Sequence, residues 1–126
     1  MSFEIINPES LGRPSGWNHG MLGPAGGRVL FVAGQAAPAA SGLVAQWDAV
    51  LERILTVVGA AGGGPESIGR MTVYVTDRAG YLAQLKGLGE VHRRRMGRHY
   101  PAMALVEVKA LVDPAALVEI EATAVL

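Results

Sequence analysis

The carboxylates near the C-terminus are the residues of this sequence best suited to chemistry. Glu107, Glu119 and Glu121 lie in two predicted strands, on faces that the surrounding Val, Ile, Leu and Ala predict to be buried. A carboxylate among apolar neighbours is costly unless it is paired, hydrogen-bonded or on a wet face. Glu119 and Glu121 are two residues apart, so they share one strand face. We expect a functional site there, and the alternative is ion-paired carboxylates at a subunit interface.

A second group of candidates lies in the N-terminal segment W-N-H-G. Trp17 and His19 point to one side if this segment is a strand, and an imidazole beside an aromatic ring can bind a ligand or transfer a proton. The alternative is a Trp that fills an interface and a hydrogen-bonded His. Arg13 is a spare cation for a substrate carboxylate, with Arg70 as the weaker candidate, although Arg13 also fits a solvent-exposed loop.

The basic run at 92–95, H-R-R-R, is followed by Arg98 and His99. We interpret it as charge that complements the dipole at the C-terminal end of a helix. The balance of 11 basic and 11 acidic residues, with two Phe and two Trp, gives no stacking platform for RNA. The glycine clusters lack the ending of a phosphate loop, and the three histidines lack metal-ligand spacing. We therefore expect no phosphate-binding loop and no metal site, and we regard a nucleic-acid partner as the less favoured interpretation of the basic run.

Length and composition indicate the kind of protein that must hold these residues in place. The 126 residues predict one domain, 1–126. The chain is 50% hydrophobic and 17% charged, against a usual charged share of about 25%. We infer that part of its apolar surface is buried against other subunits. The start of the chain shows no signal peptide and no apolar run is long enough to span a membrane, so we expect a cytoplasmic protein.

The pattern of apolar residues predicts the order β-β-β-α-β-α-β-β. Trp17 to Leu22 and Arg28 to Val32 are predicted to form a hairpin across a glycine-rich turn. Ser41 is predicted to cap the first helix, the segment 67–76 to form a strand, and 79–97 to form the second helix. Two helices on one face of a mixed sheet make this an α+β architecture. The buried stripe of the first helix is predicted at Leu43, Trp47, Val50, Leu51, Ile54 and Val58.

Six short strings occur in the order and spacing of the RidA/YjgF family, also called L-PSP endoribonuclease or translation inhibitor. They are V-A-G-Q at 32–35, A-A-G-G at 60–63, V-Y-V-T-D at 73–77, Y-P-A at 100–102, V-E-V at 106–108 and V-E-I-E-A at 118–122. The resemblance covers essentially the whole chain. It implies a chorismate-mutase-like fold and a homotrimer with ligand clefts between adjacent subunits. It also implies cofactor-free hydrolysis of enamines and imines to a 2-oxo acid and ammonia.

The resemblance also assigns roles residue by residue. Glu119 matches the glutamate that positions the hydrolytic water, and Trp17 matches the aromatic residue at the cleft mouth, with His19 two positions on. Gly34 follows Ala33, where the family often has serine. Met103 stands where the archetype has the arginine that holds the substrate carboxylate, and a thioether cannot form that bidentate pair.

We therefore predict Glu119 as the catalytic residue of a small-molecule hydrolase or deaminase. The predicted substrate-binding residues are Trp17, His19, Gly34, Met103 and Arg13. The archetypal 2-imino acid deaminase activity does not carry over directly, because the carboxylate anchor is missing. One alternative is a non-catalytic trimer that binds a small ligand. A less favoured one is an RNA-directed nuclease.

Overall fold

The structure, a computed structural model, describes residues 2–126. Its strands and helices follow the predicted order, except that the second predicted helix is divided at Ala83 and Gln84 into two parts. The fold is thus α+β with a mixed sheet and two main helices, as predicted. The elements are β1 Glu4–Ile6, β2 Gly20–Leu22, β3 Val29–Ala36, α1 Leu43–Ala60, β4 Ile68–Val75, α2 Arg78–Leu82, α3 Leu85–Met96, β5 Ala102–Glu107 and β6 Val118–Val125.

The main sheet has the strand order β3-β6-β4-β5. β4 and β5 are parallel, and the other neighbours are antiparallel. β3 and β5 are therefore the two edge strands. A separate pair formed by β1 and β2 is joined to the edge at β5 through a bridge between Asn18 and Ala102.

The predicted hairpin between the segments 17–22 and 28–32 is wrong. β2 pairs with β1, where Met21 lies opposite Ile5, whereas β3 pairs with β6. The glycine-rich segment between them therefore carries the chain from one sheet to the other. Arg28 and Leu126 exchange backbone hydrogen bonds of 2.7 and 2.9 Å, which fix the start of β3 beside the end of β6.

The core lies between the main sheet and α1, which packs on β3, β6 and α3. Every residue of the predicted helical stripe is buried, so the helical period was read correctly. Ser41 does not cap this helix. Gly42 occupies that position with φ 89°, a conformation that glycine adopts without strain, and its carbonyl oxygen accepts the hydrogen bond from Gln46 N–H.

Alternation along β6 places the carboxylates away from the core. Val118, Ile120, Ala122 and Ala124 are buried beneath the helices, so Glu119 and Glu121 lie on the opposite face. The expectation that these carboxylates occupy a buried face is therefore wrong. We call this side of the main sheet, which no helix covers, the open face.

Glu107 has a structural role, which agrees with the plainer of its two interpretations. Its Oε1 accepts a 2.8 Å hydrogen bond from the backbone N–H of Arg78 at the start of α2. An acidic group there satisfies a free N–H and complements the positive end of the helix.

Gln46 is a buried polar side chain on α1 that ties two loops to the core. Its Nε2 donates to the carbonyl oxygens of Ala40 and Ala115 at 3.2 and 3.0 Å. Its Oε1 accepts from the N–H of Leu117 at 2.8 Å. These bonds hold the connection before α1 and the connection before β6 against the same helix.

Replacing Gln46 with leucine should destabilise the fold. Gln46→Leu leaves one N–H and two carbonyls without their partner, which is expected to lower the free energy of unfolding by about 1–3 kcal/mol. Gln84→Leu is the matched control, because the Gln84 side chain is exposed and bonds only the carbonyl oxygen of Gly80 in the preceding turn of α2; it should change stability by less than about 0.5 kcal/mol. Urea unfolding at one protein concentration measures both, and equal midpoints for the two variants would contradict the role of Gln46.

Candidate functional site

A chain of asparagine hydrogen bonds fixes the loop before β2 against the entry to β5. Asn18 Nδ2 donates to the carbonyl oxygen of Tyr100 at 2.7 Å, and its backbone N–H donates to that of Pro101 at 3.3 Å. Asn7 Nδ2 in turn donates to Asn18 Oδ1 at 2.7 Å. The neighbouring Trp17 is thereby held beside β5. Neither asparagine could be predicted from the sequence, because a single asparagine in a loop carries no pattern.

Trp17 and His19 lie together, although the strand that was predicted to hold them begins only at Gly20. Their rings meet edge to face with centroids 4.6 Å apart. The backbone N–H of His19 donates to Asn7 Oδ1 at 2.7 Å, and its Nε2 donates to the carbonyl oxygen of Gly12 at 3.3 Å. Trp17 remains 38% exposed. His19 therefore packs against Trp17 while its own two hydrogen bonds fix its position.

Trp17 opens onto a pair of adjoining cavities of about 360 and about 310 Å³, each near the lower end of the usual size for a ligand pocket. Met103, on the helix-covered face of β5, lines both of them. We call the pair the aromatic cavity. Its lining comprises Ser15, Gly16, Trp17, Trp47, Tyr81, Leu85, Leu88, Gly89, His92, Arg93, Tyr100, Met103 and Leu105.

Stacked rings form the walls of the aromatic cavity. Trp47 and Tyr81 are stacked with centroids 5.8 Å apart and planes inclined by 19°. His92 and Tyr100 are stacked at 4.8 Å and 5°. Met103 contributes a polarisable thioether among these rings, a favourable contact that carries no charge. The cavity therefore suits a flat apolar group.

The imidazole of His92 is held in its neutral form. Burial lowers its pKa below the ordinary value of 6.5, although the hydrogen bond to the backbone of His99 acts in the opposite direction. Nε2 donates to the carbonyl oxygen of His99 at 2.9 Å. Because a carbonyl only accepts, Nε2 carries the single proton of the ring. His92 therefore adds no positive charge to the cavity near neutral pH.

Glu119 and Gly34 meet on the other side of the sheet. The pairing of β3 with β6 shifts between Val32 and Gln35, so Ala33 and Gly34 form a bulge. A Cβ on Gly34 would lie 2.6 Å from Glu119 Oε2, so a larger residue here would displace this carboxylate from its position. The predicted pair of Glu119 and Gly34 is thus in close contact.

Glu121, the second carboxylate of the open face, is engaged by a tyrosine. Tyr74 Oη donates to Glu121 Oε1 at 3.0 Å, and this hydrogen bond is the main cause that raises the pKa of Tyr74, with the charge of Glu119 adding to it. Glu119, in contrast, has no side-chain donor within residues 2–126. Of the two carboxylates, Glu119 is the one available to a water or a ligand.

The structure does not bring Glu119 and Met103 together within one chain. Met103 pairs with Met71, whose side chain is in the core, whereas Glu119 lies on the open face. Arg70 lines a cavity of about 240 Å³ on the open face together with Phe31 and Glu121, so its side chain lies on the opposite face of the sheet from Met103. Arg13 is exposed and does not line the aromatic cavity. Within one chain, neither arginine lines the cavity beside Met103.

The basic run lies in the last turn of α3, as predicted, and much of it is engaged by α1. Arg95 bonds Asp48 at 2.7 Å and Glu52 at 3.1 Å, and Arg94 bonds Asp48 at 3.1 Å. The hydrogen bond from Arg95 is the main cause that lowers the pKa of the Asp48 carboxyl. Arg94 and Arg95 therefore serve the packing of the two helices.

The part of the chain that the structure describes contains neither a metal-binding cluster nor a helix suited to a membrane. Between residues 2 and 126, no three His, Cys, Asp or Glu side chains are grouped so that they could hold a metal ion. Within the same residues, none of the helices combines the length and the hydropathy that a bilayer crossing requires.

The neutral His92 predicts that stability falls in mild acid. The unfolded chain takes up the proton more readily than the folded chain, so stability should decrease as the pH falls through the ordinary value of 6.5. His92→Gln removes this group, so its melting temperature should change less between pH 7.5 and pH 5.5 than that of the wild type. Thermal unfolding at both pH values measures the difference, and an equal loss in both proteins would contradict it.

Comparison with known proteins shows which family has this fold. The family model described as Endoribonuclease L-PSP matches residues 13–126, whereas no curated protein matches the chain. Among solved structures, YyfB of Yersinia pestis, a Rid family protein of unknown function, is 32% identical with a TM-score of 0.85, and all of both chains is covered. Rv2704 of Mycobacterium tuberculosis, of the YjgF/YER057c/UK114 family, is 32% identical with a TM-score of 0.65, covering 99% of this chain and 100% of the other.

The YjgF gene product of E. coli is 25% identical with a TM-score of 0.65, and the match covers 94% of this chain and 92% of that one. Together with the match of the family model to residues 13–126, these similarities place the whole described fold within one group of proteins. The chain belongs to the RidA/YjgF family, whose family model carries the description Endoribonuclease L-PSP.

Proposed function

We propose that this protein is a homotrimer whose inter-subunit clefts bind a small molecule and hydrolyse an imine or enamine. The observation that carries the proposal is the division of the predicted site between the two sheet edges. Glu119 lies over Gly34 of edge strand β3 on the open face, and Met103 lies on edge strand β5 on the helix-covered face. A complete site then requires β3 and β6 of one copy and β5 of another.

The open face supports association of copies. Phe31 is 80% exposed there, and Val29 and Val106 on the same face are 55% and 43% exposed. Phe31 and Val29 are neighbours on edge strand β3, whereas Val106 lies on the opposite edge strand, β5. Exposed apolar side chains of this kind mark a protein interface. The low charged fraction of the chain, 17%, leads to the same conclusion.

Glu119 supplies the base that the hydrolysis needs. Its carboxylate accepts a proton from a water molecule as the oxygen forms a bond to the imine carbon, and the C=N π electrons move to nitrogen. Glu119 returns this proton to the nitrogen, which gives a neutral carbinolamine. The hydroxyl proton of the carbinolamine then passes through the carboxylate to the same nitrogen as the carbon–nitrogen bond breaks and the C=O bond forms, so that ammonia leaves with a carbonyl compound. The backbone around Gly34 and the strand from Pro101 to Leu105 bind the substrate, and Trp17 covers it.

A second candidate function is ligand binding without turnover. Met103 favours it, because this residue lines the aromatic cavity where the archetype has a cationic side chain. Such a protein would be stabilised by its ligand and would release it unchanged. Cleavage of RNA has less support, because Arg94 and Arg95 are engaged by acidic residues of α1.

Substitution on the open face should abolish the trimer. The wild type is expected to show a mass of about three times 13.2 kDa by light scattering at micromolar concentration. Phe31→Asp places a charge in the proposed contact and should give the monomer. Val112→Asp is the matched control, because Val112 is fully exposed in the loop before β6 and should keep the trimer. A monomeric wild type, or a trimeric Phe31→Asp variant, would contradict the proposal.

Turnover should depend on Glu119. With 2-aminoacrylate generated in the assay, the wild type should release ammonia faster than the uncatalysed reaction, and Glu119→Gln should lower kcat by about 100-fold or more. Glu121→Gln is the matched control on the same face, because this carboxylate is occupied by Tyr74; it should retain most of the activity.

The Met103→Arg variant separates the two candidate functions. It restores the arginine of the archetype and should raise kcat/KM for a carboxylate-bearing imine by about tenfold or more. Turnover in this variant but not in the wild type would show that the wild-type site lacks an anchor suited to this substrate. Ligand-dependent thermal stabilisation without ammonia release in either protein would favour the binding function.

A further inference from the structure

The aromatic cavity has a charge pattern that the resemblance to the family does not provide. Arg93 is the charged residue among its lining, which contains no acidic side chain. His92, its neighbour in the sequence, is neutral because burial lowers the pKa of its imidazole. A cavity of this composition carries one positive charge at its edge and apolar rings elsewhere.

Arg93 differs from the two arginines that follow it. Arg94 and Arg95 form ion pairs with Asp48 and Glu52, whereas the ion pairs found within residues 2–126 do not include Arg93. Its guanidinium folds back over Gly89, and a Cβ on that glycine would lie 3.7 Å from Arg93 Nη1. Arg93 is exposed, so its guanidinium lies at the mouth of the cavity. It is thus available to an incoming anion.

We infer that Arg93 carries the carboxylate anchor of the aromatic cavity, and that the cavity takes a monocarboxylate with a flat apolar body. The guanidinium can bind a carboxylate with two parallel hydrogen bonds, which are directional and charge-assisted. The apolar body packs among Trp17, Trp47 and Tyr81. In this arrangement the anchor has moved from β5 to α3, and Met103 adds apolar surface in its former place.

The charge and the rings of the cavity define the ligand class. The cavity lining has one guanidinium and no second cation. A ligand with one negative charge therefore matches it better than a ligand with two. The stacked pairs Trp47–Tyr81 and His92–Tyr100 favour an aromatic or conjugated body over a branched aliphatic one. The inference deepens the proposed function, because it assumes that the aromatic cavity is one part of the proposed inter-subunit site.

Tryptophan fluorescence reports on this cavity directly. The chain contains two tryptophans, and both Trp17 and Trp47 line the cavity. Phenylacetate and phenylacetamide share one ring and differ in charge, so titrating each at pH 7.5 isolates the contribution of the carboxylate. The wild type should bind phenylacetate with a Kd lower by about tenfold or more than that of phenylacetamide.

The variants then assign the carboxylate preference to one residue. Arg93→Gln should raise the Kd of phenylacetate to near that of phenylacetamide and leave the Kd of the amide within about twofold. Arg94→Gln is the matched control, because Arg94 is adjacent, exposed and ion-paired with Asp48; it should change neither Kd. Met103→Arg added to Arg93→Gln should restore the preference for the acid by placing a guanidinium in the same cavity.

Two results would overturn the inference. One is an unchanged ratio of acid to amide affinity in Arg93→Gln, and the other is the absence of any fluorescence change with phenylacetate in the wild type. These outcomes are separate from those that test hydrolysis, because fluorescence requires no turnover. Binding that depends on Arg93 without ammonia release would contradict the hydrolase alone, and turnover that is unaffected by Arg93→Gln would contradict the anchor alone.

Discussion

The alternation of side chains along β6 is the constraint on which the rest of this structure depends. Val118, Ile120, Ala122 and Ala124 are buried, and they close the core against α1. The same alternation sends Glu119 to the open face. β6, β4 and β5 are consecutive neighbours in one sheet. Their pairing therefore also fixes the face of the sheet on which Met103 lies. No rotation of a side chain could bring these two residues together within one chain, so a shared site has to be formed by two copies.

The aromatic cavity on the helix-covered face is formed by contacts between residues that are far apart in the sequence. Asn18 holds the loop before β2 against Tyr100, far along the chain, and so places Trp17 beside β5. Trp47 from α1 and Tyr81 from α2 then form the facing wall through their stacked rings. Each wall of the cavity belongs to an element that packs on the core or is hydrogen-bonded to the edge of the sheet. The cavity is therefore as rigid as the packing of the helices.

The sequence predicted those features that depend on local periodicity. The buried stripe of α1 and the alternation of Met71, Val73 and Val75 follow from spacing alone, since one side of each element is fully buried. Strand pairing did not follow, because a glycine-rich turn between two strands is compatible with a hairpin and with a change of sheet. The side on which Glu119 lies was misjudged because its apolar neighbours in the sequence, Val118 and Ile120, alternate with it and lie on the opposite face. Arg93 was overlooked, because a run of arginines does not reveal which one lacks a partner.

The charged residues nearest the proposed site differ between the two faces, with Glu119 on the open face, where Arg70 also lies, and Arg93 on the helix-covered face. On the open face, Glu119 adds to the negative field that raises the pKa of Tyr74. On the helix-covered face, Arg93 is the charge at the cavity and His92 is neutral. A ligand bound between two copies would meet a cation on one and a carboxylate on the other. Its own carboxylate is attracted to the first and repelled by the second, so its reacting carbon is directed toward Glu119. In the proposed site this polarity does not require a charge at position 103, so it is compatible with a methionine there.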